Sequence, residues 1–113
     1  MKNYFEDWEL QCHCGCNQQK VTPEALQALN AVRHEVGFPF TPTSAYRCED
    51  HPVERKKDKP GRHTEGHAFD IPCNGNTRVA LLRAALANGF RAFGFADDFL
   101  HIDMRPYDAS WTY

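Results

Sequence analysis

Two segments carry residue types that could do chemistry: His63-Thr64-Glu65-Gly66-His67-Ala68-Phe69-Asp70 and Phe99-Leu100-His101-Ile102-Asp103-Met104. In the first, Asp70 falls in an apolar run, where a carboxylate is costly unless it is paired or bound to metal. Gly66 allows a sharp turn or a close approach just ahead of it. In the second, His101 and Asp103 interrupt an apolar run two residues apart, which puts them on one face of a strand. Each segment alone also has a plain structural reading. Asp70 could cap a turn or pair with an Arg, and His101 could be a buried ring satisfied by a backbone carbonyl. Together they offer two His and a carboxylate, the donor set of a catalytic zinc site with an open fourth position. Asp98, three residues before His101, could take a proton from water, as hydrolysis requires. Asp97 beside it competes for that role.

A third element is Thr43-Ser44-Ala45-Tyr46-Arg47-Cys48. Arg47 could hold a carboxylate through two parallel hydrogen bonds or polarise a scissile carbonyl; the alternative is a surface Arg at a strand end.

Ser44-Ala45-Tyr46-Arg47, then His63 with Gly66, Ala68 and Asp70, then Asp98 with His101, resemble in order the M15 family of zinc peptidases. That family includes D-Ala-D-Ala carboxypeptidases and phage L-alanyl-D-glutamate endopeptidases. The resemblance runs from about residue 9 to residue 105 and is close to the small phage-type members, which also open on a Cys-rich stretch. It implies an α+β fold like that of hedgehog signalling domains and DD-peptidases, a small antiparallel sheet with flanking helices. It implies zinc ligands at His63, Asp70 and His101. The base falls on Asp98, where most carboxypeptidase members carry Glu. Arg47 would bind the substrate carboxylate or stabilise the oxyanion, with Ser44 supporting the same pocket. The reaction implied is hydrolysis of a peptide bond in peptidoglycan stem peptides by metal-activated water, endo- or D,D-carboxypeptidase in type. A different class is a zinc-binding or virion structural domain on the same fold without catalysis.

Five Cys is an odd number: Cys12, Cys14 and Cys16 crowd together, and Cys48 and Cys73 stand apart. An odd count argues against a pure disulfide framework. Cys12, Cys14 and Cys16 with Cys48 offer a second, structural zinc site; a bridge from Cys12 or Cys14 to Cys48, or free thiols, are the other readings. His51 is expected to line the substrate cleft. His67 alternates away from Asp70 and reads as a packing or substrate-side residue. Trp8, Trp111 and Tyr113 read as lids on the core.

The elements that must position these groups are short. Leu26, Leu29, Val32 and Val36 recur at helical spacing over Pro23–Val36. Thr22 is a suitable cap, Pro23 fits the first position and Gly37 stops the helix. A second helix is expected over 78–88, capped by Asn76 or Thr77, with Val79, Leu82 and Leu86 on one side and Leu81, Ala84 and Ala85 widening the face. Strands are expected at 40–46, 67–72, 91–95 and 99–104, the last two forming an antiparallel hairpin around Ala96-Asp97-Asp98. Residues 48–62, with Glu54-Arg55-Lys56-Lys57-Asp58-Lys59, read as a long polar loop that selects the bond cut.

The 113 residues fit a single domain spanning 1–113. A net charge of -2 argues against a basic nucleic-acid-binding face. No apolar run approaches the ~20 residues a transmembrane helix needs, so no membrane partner is expected, and the chain reads as a monomer. The N-terminus has no apolar signal region; the expectation is cytoplasmic synthesis and action on the cell wall after release.

Overall fold

The computed structural model describes residues 2–48, 51 and 61–113. The polar loop expected over 48–62 falls mostly outside these residues.

Local signals set the helices. A short α1 covers Asp7–Leu10. Helix α2 covers Pro23–Val36: Thr22 Oγ1 accepts a hydrogen bond from the Ala25 amide at 3.2 Å, and Gly37 ends the helix in the left-handed conformation with φ 77°. Only glycine adopts that cap without a Cβ penalty. Ala25, Ala28, Leu29 and Val32 are buried beneath it.

Helix α3 covers Gly75–Ala87 and starts earlier than expected, because Asn74 takes the cap. Asn74 Oδ1 accepts from the amides of Asn76 and Thr77, both at 3.0 Å, and the Asn74 amide donates back to Thr77 Oγ1 at 2.9 Å. This reciprocal box satisfies donors that the helix itself leaves open. The buried face is Leu81, Ala84 and Ala85, whereas Val79 and Leu86 are 49% and 58% exposed. Of the expected stripe, Leu82 is half-buried against the core, whereas the inward placing of Val79 and Leu86 is corrected. The helix is apolar on most sides, so periodicity could not choose its inward face, and the small alanines are what face the core.

Four strands form one sheet: β1 (Ala68–Pro72), β2 (Ala92–Phe95), β3 (Phe99–Asp103) and β4 (Ala109–Thr112), in the order β1-β3-β2-β4. β3 pairs antiparallel with both β1 and β2, and the β2–β3 hairpin lies as expected. β4 pairs parallel with β2, so the sheet of this α+β fold is mixed and the expected purely antiparallel sheet is corrected. The strand expected at 40–46 reduces to a single bridge between Ser44 and Asp70. Pro42 has no amide proton to donate to a ladder. The core beneath the sheet includes Phe69, Ile71, Phe90, Leu100 and Ile102 with Leu29 and Leu81. No helix among the described residues is long and apolar enough to cross a membrane.

Strand register aligns residues from distant parts of the chain. Ser44 faces Asp70, Asp70 faces His101, His101 faces Gly94, and Gly94 faces Trp111. Directly opposed residues share a face, so these five make one row across the sheet. Gly94 is the gap in it: a Cβ there would lie 2.6 Å from the Trp111 indole nitrogen. Gly94→Ala is expected to displace Trp111 and to destabilise the fold by about 1–3 kcal/mol. Denaturant unfolding and Trp emission in a Trp8→Phe background would report it; an unchanged midpoint and spectrum would contradict the packing.

Candidate metal centre

The 3-10 turn Arg62–Glu65 brings His63 to the sheet, and Gly66 closes it with φ 79°. A Cβ on Gly66 would collide with the Lys20 carbonyl, so the close approach here requires glycine. Asp70 arrives from the middle of β1 and His101 from the middle of β3, opposite each other. All three residues are buried.

The ligand-type atoms of His63, Asp70 and His101 lie within 4.8 Å of one another. Asp70 Oδ1 is 3.3 Å from His63 Nε2 and 2.8 Å from His101 Nδ1. Three N and O ligands at about 2.1 Å from one tetrahedral zinc would be about 3.4 Å apart, so these side chains need little movement to share an ion.

The outer nitrogens fix which inner nitrogens face the centre. His63 Nδ1–H donates to the Ala45 carbonyl at 2.6 Å. A carbonyl can only accept, so Nδ1 carries a proton and Nε2 is the nitrogen that faces Asp70. His101 Nε2–H donates to Asp103 Oδ2 at 2.7 Å, which leaves Nδ1 toward the centre. Metal-ligating imidazoles carry this kind of outer acceptor. Asp103 is fully buried and held by Arg105, whose Nε and Nη2 donate to its two oxygens at 2.9 and 2.7 Å. The buried position, the preset tautomers and the N,N,O donor set fit a zinc ion.

Burial opposes the charge on Asp70, but hydrogen bonds from His101 and His63 hold its carboxyl well below the usual carboxylate range. Burial likewise opposes the charge on Asp103, which Arg105 and His101 hold low. Burial disfavours the protonated His101 ring, yet the carboxylates of Asp103 and Asp70 on its two nitrogens push its pKa above the ordinary value.

Beside the three residues opens a cleft of about 480 Å³, lined in part by Arg47, Arg62, Arg105, Phe99, Trp111 and Tyr113. Arg47 Nη2 is 3.6 Å from Asp70 Oδ2. Its own amide donates to the His63 carbonyl at 3.3 Å, tying the segment to the 3-10 turn. Trp111 stands 5.2 Å from the His101 ring and under Arg105, whose guanidinium is 5.0 Å from the indole. The expectation that Trp8, Trp111 and Tyr113 are lids on the core is corrected. Trp111 belongs to β4, both it and Tyr113 line the cleft, and Trp8 is exposed. Arg62 and Arg105 are cleft residues that no sequence motif singles out. The only signal for β4 is the alternation Ala109-Ser110-Trp111-Thr112, too short to weigh.

The structure does not bring the remaining expected residues to the lining of this cleft. Ser44 is half-buried on the edge of β1, where its carbonyl accepts from the Asp70 amide at 2.8 Å. His51 is half-buried, with its amide donating to the Cys48 carbonyl at 3.1 Å. Asp98 is exposed in the β2–β3 turn, one residue before the cleft-lining Phe99, and its carbonyl accepts from the Cys73 amide at 3.0 Å. Asp97 is exposed beside it. His67 lies outside the group, 3.1 Å from Glu65.

A second group, Cys12, Cys14, Cys16 and Cys48, also has its sulfurs within 4.8 Å of one another.

The His–Asp–His geometry has two measurable consequences. Without metal, His101 carries a proton on Nδ1 that an ion must displace. Its raised pKa means that this proton is fully present below pH ~6.5 and lost as pH rises through the higher folded value. Zinc affinity is therefore expected to climb with pH by about tenfold per unit up to that folded value and then level off; competition with a chelator at several pH values measures it, and a flat profile contradicts it. Asp103→Asn is expected to weaken zinc binding by about 10–100-fold in the same assay.

A family model described as Peptidase M15 matches residues 3–103. No curated protein matches the chain.

Proposed function

The chain belongs to the peptidase M15 family, and from that premise we propose that it is a zinc-dependent hydrolase cutting a peptide bond in peptidoglycan stem peptides. Family membership supplies the reaction class. The observation that carries the rest is the convergence of His63 Nε2, His101 Nδ1 and Asp70 Oδ1 on one centre at the wall of an open cleft. His63, Asp70 and His101 would hold the ion. Zinc, when bound, supplies Lewis acidity and acidifies water by several pKa units. The finer fold assignment, that of hedgehog signalling domains and DD-peptidases, belongs to the same reading.

The chain's own residues then have distinct tasks. Arg47, 3.6 Å from Asp70 and on the cleft, receives a substrate carboxylate or steadies charge developing on the scissile carbonyl oxygen. Arg62 and Arg105 add positive charge to the same cleft. That lining suits stem peptides, which carry free carboxylates. Trp111, Tyr113 and Phe99 supply flat walls for their small side chains. Asp103 fixes the His101 ring and is a positioning residue. Asp98 is assigned the proton transfer from its place three residues before His101, with Asp97 as its rival. Ser44 and His51 are assigned supporting roles at the substrate. In this reading the chain works on the wall after release from the cell, as phage lysis proteins do.

One observation favours a second reading, a zinc-holding domain without catalysis: Asp98 is exposed and is not among the described residues lining the cleft. Digestion of purified peptidoglycan followed by mass spectrometry of the fragments decides between them. The expected result is release of one defined stem-peptide bond, abolished by chelator and restored by zinc. Asp98→Ala is expected to keep its zinc and lose about 100-fold or more in rate. Intact stem peptides after exposure to the zinc-loaded chain would reject the hydrolase.

A further inference from the structure

We propose that Cys12, Cys14, Cys16 and Cys48 hold a second zinc ion as a structural tetrathiolate site. The sulfur separations carry this. Cys12 to Cys14 is 3.4 Å, Cys12 to Cys48 is 3.6 Å, Cys14 to Cys48 is 3.4 Å and Cys16 to Cys48 is 3.7 Å. A disulfide would need about 2.0 Å. Four thiolates at about 2.3 Å from one tetrahedral zinc stand about 3.8 Å apart along each edge. The observed spacings are close to that edge, and all four sulfurs share one centre.

The backbone is shaped to the same end. Gly15 at φ 101° and Asn17 at φ 59° turn the chain left-handed, so that three Cys within five residues present their sulfurs to one point. Amide protons are directed at the sulfurs: Cys48 N–H at Cys12 Sγ, 3.4 Å, and Gln18 N–H at Cys16 Sγ, 3.5 Å. Such donors stabilise thiolate charge. Cys12 and Cys48 are buried against Tyr46 and Val21, whereas Cys14 and Cys16 are exposed and leave an entry path. Crowding of exposed thiols has no packing benefit, which separates this group from Cys73, a half-buried thiol packed on the main core.

Binding one zinc displaces up to four thiol protons to the buffer and leaves four Zn–S bonds, with no change in oxidation state. The consequence is mechanical. Cys48 follows Arg47 directly, and the Tyr46 amide already donates to the Leu10 carbonyl at 3.1 Å. Zinc at this point fastens residues 45–48 to the N-terminal segment and thereby sets where Arg47 enters the cleft.

Zinc content is the direct test and does not depend on hydrolysis. The native chain is expected to bind two equivalents, the His63→Ala/His101→Ala variant one, and the Cys14→Ser/Cys16→Ser variant one, with Cys73→Ser unchanged at two. In the His variant, a mercurial that blocks thiols should release the remaining zinc. Should a variant fail to fold, cobalt loading of the native chain gives the same answer through sulfur-to-cobalt charge-transfer absorption. A metal-free His variant, a disulfide among the four Cys, bound iron, or cobalt without that absorption would overturn the assignment.

Discussion

The buried charge of Asp70 is the constraint around which this protein is organised. A carboxylate in the middle of an apolar strand is unstable without partners, and β1 supplies none of its own. Its two oxygens are met from three other segments: His63 from the 3-10 turn, His101 from β3 and Arg47 from the segment that bridges to β1. Both imidazoles are themselves anchored. Ala45 holds His63, Asp103 holds His101, and Arg105 holds Asp103. The chain of contacts runs from a strand centre outward to the cleft, and an arrangement that neutralises a buried acid is also one that presents three ligands to a cation.

The sheet makes this economical in space. Because Ser44, Asp70, His101, Gly94 and Trp111 lie in one cross-strand row, a single register fixes the carboxylate, the imidazole and the aromatic wall together. A one-residue slip of any strand would send its member of the row to the opposite face. Gly94 is the position where the row needs no side chain, and the indole of Trp111 occupies the space. Residues 44–48 are the second joint. Within five residues the chain pairs with β1, accepts from His63, places Arg47 on the cleft and brings Cys48 to the other three sulfurs. The two metal-type clusters among the described residues are thus mechanically connected through one short extended segment.

Several elements are legible because their signals are local. Helix α2 follows from Thr22, Pro23, its apolar spacing and Gly37, each acting within a turn or two. The β2–β3 hairpin follows from two apolar runs around a three-residue turn. Helix α3 is legible as an element but not in its start or its face: Asn74 caps it through a box that includes Thr77, and its apolar surface has no single dominant side. The segment at 40–46 has strand-like composition, but Pro42 cannot join a ladder. β4 is not readable at all, since four residues gain their strand conformation only by pairing with β2, seventeen positions earlier.

Composition and spacing alone dictate which side chains have to find partners. Asp70 and His101 stand in apolar runs, and burial leaves them no option but to be satisfied by other groups; four of the five Cys fall near one another or next to Arg47. Folding in three dimensions chose the company they keep. It turned the Nε2 of His63 and the Nδ1 of His101 toward the same oxygen, added Arg105 and Trp111 from beyond the recognised motifs, and left Asp98 exposed in its turn. The difference is one of range. Burial cost and helix capping act over a few residues and are written in composition and spacing, whereas tautomer, cleft lining and reach depend on which distant segments the sheet register brings within hydrogen-bonding distance.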